Sequence, residues 1–407
     1  MAAPKKSKAP KKALSPTEQW VLDMNKDKAF TGHAQVRMAS DAANPFLLRR
    51  PTGILGLDIA LGGGLHAGGA VEVQGSESVG KTHLVYRTCG ENQRIHGDDS
   101  RILIWGTEIR TDKSFARLSG FCIAYSDKEI EELSIIRENR GMVPFTDEEV
   151  ADLKHQVGDV AFVASDTADS GFEVLLKALR RGIFQIIVVE SLGALITKLV
   201  EDGTVSDKHY GGAAGVVTTF QNKMNPLFML DGPDGEMLET TLIGINQARA
   251  NIGAGTYDRK EKGALGAFAW KHSLLASILL ERGGQVRESE KGPVVGRTIR
   301  WTLAKGKAGT HDGKKGKYDF FHVPKMEPVF WGEVETTWLG GVAVYNEVAE
   351  VAKAMGLIKV AGSWISYGDL KVQGLNNFAQ KLAEDEELCQ KVRDDCIDKS
   401  NVLVRYK

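Results

Sequence analysis

Ala70-Val-Glu-Val73-Gln-Gly75-Ser76-Glu77-Ser78-Val79-Gly80-Lys81-Thr82 is the stretch on which the fold turns. From Gly75 to Thr82 it fits G-x-x-x-x-G-K-[ST] at every fixed position. It follows an apolar run, Ala70–Val73, that reads as a strand, and it leads into a helical stretch over Lys81–Gln93. The glycines let successive backbone N–H groups turn toward a phosphate, and the helix start adds about half a positive charge. Such a loop places Lys81 on the β- and γ-phosphates and the Thr82 hydroxyl on Mg²⁺. The candidate nucleotide-binding residues are therefore Gly75, Ser76, Glu77, Ser78, Val79, Gly80, Lys81, Thr82 and the adjoining His83, with ATP and Mg²⁺ as the expected cofactors.

Outward from the loop, apolar runs recur at Ile102–Trp105, Val160–Ala164, Ile186–Val189, Leu242–Ile245, Ser277–Leu280 and Ile299–Leu303. Helical stretches such as Gly171–Arg181 and Gly212–Met229 lie between several of them. This alternation predicts an α/β fold, a P-loop core on a mostly parallel central sheet. Such a core needs an acid at a second strand end. Phe184-Gln-Ile-Ile-Val-Val-Glu190-Ser191 supplies Glu190, placed to hold Mg²⁺ or its water. Glu108 ends another strand, after Leu103-Ile-Trp-Gly-Thr, where a carboxylate can orient and deprotonate an attacking water.

Lys and Arg number 52 against 53 Asp and Glu, a net charge of −1 over 407 residues. That excludes a uniformly basic DNA-coating protein and leaves room for a local basic groove. The 42% hydrophobic and 26% charged fractions exclude disorder for most of the chain. No run approaches the ~18 apolar residues of a membrane span, and no signal segment opens the chain. A cytoplasmic protein without a membrane partner is expected. Cys89, Cys122, Cys389 and Cys396 form no CxxC pair and read as packing cysteines rather than zinc ligands.

Four regions follow. Residues 1–14 form a basic disordered arm. Residues 15–50 form an oligomerisation segment, where Ser15-Pro16-Thr17-Glu18 has capping-box order and Trp20, Val21 and Met24 share one helical face. Residues 51–330 form the core, with a charged, mostly helical insertion near 126–158. Residues 335–407 form a small α+β domain with a helix over Val344–Met355, a Trp364/Tyr367 segment and a helix over Leu375–Asp398.

In this order, from about Ser15 to Asp398, the motifs resemble the RecA-family DNA recombinases. Thr52-Gly-Ile-Leu-Gly-Leu-Asp58-Ile-Ala-Leu-Gly62 looks like the family's segment ahead of the phosphate loop, and Gly75–Thr82 differs little from the family's loop. The resemblance makes Glu108 the catalytic glutamate, places Asp112 and Phe115 against the adenine, and makes Gln247, in Gly244-Ile-Asn-Gln247-Ala-Arg249, a γ-phosphate sensor. Lys305 and Lys307 match lysines that cross a subunit interface to the neighbour's ATP, as an arginine finger does. Ala361-Gly-Ser-Trp364-Ile-Ser-Tyr367 resembles a stretch of the bacterial C-terminal domain and favours the bacterial and phage branch. His209, Tyr210, Gly211 and Gly212 match the first DNA-binding loop. Tyr257, Arg259, Lys260 and Lys262 go with the second, over Ala250–Leu265, and Arg249, just ahead of it, is a further DNA-binding candidate. Cations for phosphates and aromatic rings for bases are what sequence-independent single-strand binding needs.

The resemblance implies an N-terminal polymerisation helix and self-association into a helical filament. It implies a DNA-dependent ATPase that pairs single-stranded DNA with a homologous duplex and exchanges strands. The departures are Glu190 for the usual Asp, Phe115 for Tyr, His83 for Thr, Gly215 for Arg in the first loop, and Thr256 for Phe in the second, where Tyr257 substitutes. The insertion is unusual and the acidic tail is missing. A ring-forming RecA-fold ATPase of the helicase kind, or a DNA-binding filament protein with little ATPase, are the alternative readings.

Overall fold

Alternate residues of the central strands serve two different apolar layers, and this sets the architecture. Val71, Val73, Ile102, Ile104, Ile186, Val188, Ile243 and Ile245 join one buried cluster. Ala70, Leu103, Trp105, Ile187, Val189 and Leu242 join another. Strands apolar on both faces need helices on both faces, which is the condition of a parallel sheet. The structure is a computed structural model. It describes residues 14–29, 34–40, 48–107, 112–197, 212–229, 238–249, 263–264, 268–287, 291–307, 310, 312–321, 325–326, 336–338, 341–400 and 402.

The main sheet comprises β1 Gly69–Gly75, β2 Arg101–Gly106, β3 Asp159–Val163, β4 Ile186–Glu190, β5 Thr241–Arg249, β6 Ala276–Arg287, β7 Val294–Gly306, β8 Lys315–Phe321 and β9 Gly341–Val342. Their spatial order is β9-β8-β7-β6-β1-β5-β4-β2-β3, and a short strand, Gly263–Ala264, pairs with the end of β5. From β6 to β3 the strands run parallel. β7, β8 and β9 extend the sheet antiparallel.

The helices are α1 Pro16–Lys26, α2 Leu55–Ala60, α3 Lys81–His96, α4 Lys113–Leu118, α5 Asp127–Asn139, α6 Asp147–Lys154, α7 Ala168–Arg181, α8 Gly212–Leu227, α9 Phe268–Ser273, α10 Val344–Ala354, α11 Leu375–Glu384 and α12 Glu386–Lys399. Leu84, Val85 and Cys89 of α3 cover the first face of the sheet. Phe172, Leu175, Leu176 and Leu179 of α7, with Val217, Phe220 and Met224 of α8, cover the second. Gly171 lets α7 settle on the sheet, because a Cβ there would stand 2.0 Å from the Trp105 ring. No helix among the described residues is long and apolar enough to cross a membrane.

The chain divides into two compact units, Met1–Asn44 and Pro45–Lys407. In the first, α1 carries the expected capping box, Ser15 with Glu18, and Trp20 is 53% exposed. In the second, Arg49–Arg50 pairs with Leu65–His66, so this part of the expected oligomerisation segment is built into the core unit. The C-terminal elements have their own apolar cluster, including Val348, Phe378, Leu382 and Val392, and Leu55 of α2 joins it. Glu347 of α10 accepts hydrogen bonds from Leu55 N (3.1 Å) and Gly56 N (2.7 Å), capping α2 across the boundary.

One detail differs from the sequence reading. Leu375–Asp398 is two helices, because Asp385 ends α11 and its side chain accepts from Leu388 N at 2.9 Å to start α12. The Trp364/Tyr367 segment is the middle strand of a small antiparallel sheet, β10 Lys359–Ala361, β11 Trp364–Tyr367 and β12 Leu370–Gln373. The stretch read as an insertion, residues 126–158, contains α5 and α6, each with a capping box.

Candidate nucleotide site

The carboxyl ends of the parallel strands form one edge, and β1 delivers the glycine loop there. Gly75 pairs with Gln247 of β5, and Glu190 of β4 pairs with Gly106 of β2 and Ile245 of β5. Sites in open α/β sheets form at this edge. Gly80 is the N-cap of α3 at φ 102°, and a Cβ there would meet Ile299 Cδ1 at 2.6 Å. Ser78 also has positive φ, 54°, so the loop alternates handedness in the manner of an anion-binding nest. Arg282 of β6 donates to Glu77 O at 2.7 Å, and Arg297 of β7 donates to Ser78 O at 3.1 Å. These two arginines brace the outer carbonyls of the loop and were not legible in its spacing.

Lys81 lies inside the cradle. It is 8% exposed, and its Nζ donates to Gly75 O (3.2 Å) and Ser76 O (2.8 Å). Thr82 Oγ1 donates to Glu190 Oε1, and the Tyr86 hydroxyl donates to Glu190 Oε2 at 3.2 Å. A threonine hydroxyl and a carboxylate converge here beside a phosphate-type loop. These hard oxygen donors suit Mg²⁺, which prefers one or two protein ligands and completes its shell with water and phosphate. No group of three or more His, Cys, Asp or Glu among the described residues could hold a metal alone. The donor set therefore fits Mg²⁺ with a nucleotide rather than a metal in a protein cage.

His83 turns away from the cradle. It is completely buried, its Nδ1 pairs with Ser119 Oγ at 2.8 Å, and its ring lies 3.9 Å from that of Phe320. A phosphate can meet its backbone N–H and not its imidazole. Asp112 is the N-cap of α4, with Oδ1 accepting from Ser114 N (2.9 Å) and Phe115 N (3.1 Å). Phe115 packs against His83, Tyr86 and Phe320. Gln247 stands level with Gly75, on the strand beside the loop.

Lys305 and Lys307 lie elsewhere. Lys305 pairs with Ser277, which pairs with Glu72, three residues before Gly75, so it sits ~10 Å back along the strands. Lys305 Nζ donates to Lys271 O and His272 O, and Lys307 Nζ donates to His272 O at 3.0 Å. Burial, and then the neighbouring Lys307, hold the Lys305 ammonium below its ordinary pKa. Behind it, Glu72 accepts from Asn246 Nδ2 (2.8 Å) and Ser277 Oγ (3.0 Å), a buried network the sequence reading did not contain.

Glu108, His209, Tyr210, Gly211, Tyr257, Arg259, Lys260 and Lys262 lie outside the described residues. Gly212 opens α8, and Arg249 closes β5. Cys89, Cys389 and Cys396 are buried, Cys122 is partly buried, and all four are free thiols.

A largely parallel sheet with this strand–loop–helix turn at its carboxyl edge, faced by the acid of a second strand, defines an α/β fold of the P-loop kind. The comparisons with known proteins give the particulars. No protein-family model matches the sequence. Curated proteins named RecA are similar to it along most of both chains. The protein from Thermus thermophilus is 27% identical over 358 residues, 87% of this chain and 86% of its own. That from Wolinella succinogenes is 26% identical over 369 residues, 90% of this chain and 87% of its own. That from Laribacter hongkongensis is 26% identical over 394 residues, 96% and 90%. A solved structure of the RadB recombinase covers 67% of this chain and 96% of its own at 16% identity, with a TM-score of 0.39. The similarity to RecA-named proteins thus runs along most of the chain, at about one-quarter identity.

Proposed function

We propose that this chain is an ATP-dependent DNA recombinase of the bacterial and phage type, which forms a filament on single-stranded DNA and exchanges strands with a homologous duplex. The observation that carries this reading is the convergence of Lys81, Thr82 and Glu190 on one glycine cradle, in a chain similar to RecA-named proteins along nearly its whole length. The loop's N–H groups and Lys81 bind and orient the phosphates. Thr82 and Glu190 would hold Mg²⁺, which would supply neutralisation of the phosphate charge. Glu108 orients and deprotonates the attacking water, and Gln247, beside the loop, reports whether the γ-phosphate is present. Asp112 and Phe115 meet the base.

Lys305 and Lys307 lie too far back along the strands to serve their own chain's loop, which supports their action on a neighbour's nucleotide. That would place ATP at the seam between subunits, with the exposed Trp20 face of α1 docking on the next core in a contact that does not close. His209, Tyr210, Gly211 and Gly212, with Arg249, Tyr257, Arg259, Lys260 and Lys262, then hold the single strand. DNA affinity falls as salt rises, because these contacts release counterions.

The test is phosphate release with and without single-stranded DNA, run beside a strand-exchange assay. The intact chain is expected to hydrolyse ATP faster with DNA and to exchange strands. Glu108→Gln is expected to bind ATP and release phosphate at least ~100-fold more slowly, in line with the loss of a general base. Strand exchange without any DNA-stimulated hydrolysis would instead favour a filament protein with little ATPase.

A further inference from the structure

We infer that Tyr86 is a positioning residue for Glu190, serving a strand-end acid that is a glutamate rather than an aspartate; this rests on reading Gly75–Thr82 as a nucleotide and Mg²⁺ site. Tyr86 follows Thr82 by four residues on α3, so both side chains leave the same helix face one turn apart. Together they hold the carboxylate at both oxygens, Thr82 Oγ1 on Oε1 and the Tyr86 hydroxyl on Oε2 at 3.2 Å. A glutamate carries one more rotatable bond than an aspartate, and fixing that freedom for metal binding costs entropy. A hydrogen bond to the oxygen that Thr82 does not use fixes it beforehand. Oε1, beside Thr82, can then turn to the metal or its water while Oε2 stays anchored.

Tyr86 is built as an anchor. It is 2% exposed, and its ring packs against Phe121 at 5.7 Å and Phe115 at 6.2 Å, so its hydroxyl cannot follow a retreating partner. An aspartate at position 190 would end one C–C bond, ~1.5 Å, closer to the strand. From a starting separation of 3.2 Å that leaves no hydrogen bond. The role therefore belongs to the Tyr86–Glu190 combination. Tyr86 acts through Glu190 and is no catalytic residue.

The experiment is a double-mutant cycle on the full chain with Tyr86→Phe, Glu190→Asp and the pair. Binding of a fluorescent ATP analogue is followed as Mg²⁺ is titrated, and again without Mg²⁺. Tyr86→Phe keeps the ring contacts, so its thermal unfolding is expected to match the unaltered chain. It is expected to raise the Mg²⁺ concentration at half-saturation about tenfold, the scale of a hydrogen bond to a charged group, and to leave metal-free nucleotide binding unchanged. In the Glu190→Asp background the same substitution is expected to shift the midpoint less than about twofold. An equal shift in both backgrounds, or none beside Glu190, overturns the assignment. Failure of the unaltered chain to bind nucleotide with Mg²⁺ at all would overturn the site reading itself, and this role with it.

Discussion

Asp58 and Lys81 show how differently two buried charged residues can be used. Asp58 is buried, and its Oδ1 accepts from Thr52 N and Thr52 Oγ1, both at 2.7 Å. Burial pushes its carboxyl up to about 8, and the two hydrogen bonds only partly oppose this. Between about 4 and 8 the folded chain keeps a proton that the unfolded chain gives up, so stability falls as pH rises through that window. Asp58→Asn keeps an acceptor for Thr52 and removes the titration. Urea unfolding is expected to lose up to about 4 kcal/mol between pH 5 and pH 8 in the unaltered chain and clearly less in the variant. Parallel slopes would show that Asp58 does not titrate there. Lys81, by contrast, braces two loop carbonyls. Lys81→Ala is expected to abolish nucleotide binding while costing only about 1 kcal/mol of stability, a net hydrogen bond's worth. Strand exchange that survives Lys81→Ala would remove the role given to this lysine. Both Lys81 and Thr82 were legible because the loop motif has fixed spacing. The Tyr86–Glu190 bond was not, since it joins residues 104 apart and only the folded sheet brings them together.

At the scale of elements, the insertion is fastened by side chains of α4. Arg117 donates to Ile123 O (3.0 Å), Asp152 Oδ2 (3.1 Å), Asp152 O (2.8 Å), Leu153 O (3.2 Å) and His155 O (3.0 Å). A second tie joins Lys113 to Glu129 of α5 at 2.7 Å, and that hydrogen bond is the main cause holding the Glu129 carboxyl down at about 2. The insertion thus grips the helix that carries Asp112 and Phe115. Arg117→Ala is expected to speed amide hydrogen exchange over Asp127–Lys154 at least about tenfold, while exchange in β1 and β4 stays as it was. Uniform exchange across the chain would mean that α5 and α6 do not depend on this residue. The central strands were legible because burial on both faces demands continuous apolar runs such as Ile186-Ile-Val-Val. The start of β8 was not legible: the strand begins at Lys315, just after the turn at Asp312–Gly313. Lys315 and Lys317 are exposed at the start of that strand, and its apolar signal comes only afterwards, from Tyr318 and Phe320, which reach the core.

For the whole molecule, the question is whether one chain holds a complete site. Within a chain, Lys305 and Lys307 are tied to the carbonyl end of α9, away from the cradle. A seam site would therefore combine the cradle of one subunit with the lysines of the next. Subunits carrying Lys305→Ala, mixed with subunits carrying Lys81→Ala, would then form some interfaces in which both groups are intact. ATPase activity is expected to return partly in the mixture and peak near equal proportions. Equal inactivity at every ratio would count against a shared site. The order of motifs made the fold and the cradle readable from sequence, whereas the assembly depends on surfaces of different copies. The most direct measurement is electron microscopy of the intact chain with single-stranded DNA, Mg²⁺ and a slowly hydrolysed ATP analogue. Open helical filaments are the expected result; closed rings or isolated monomers would contradict the account.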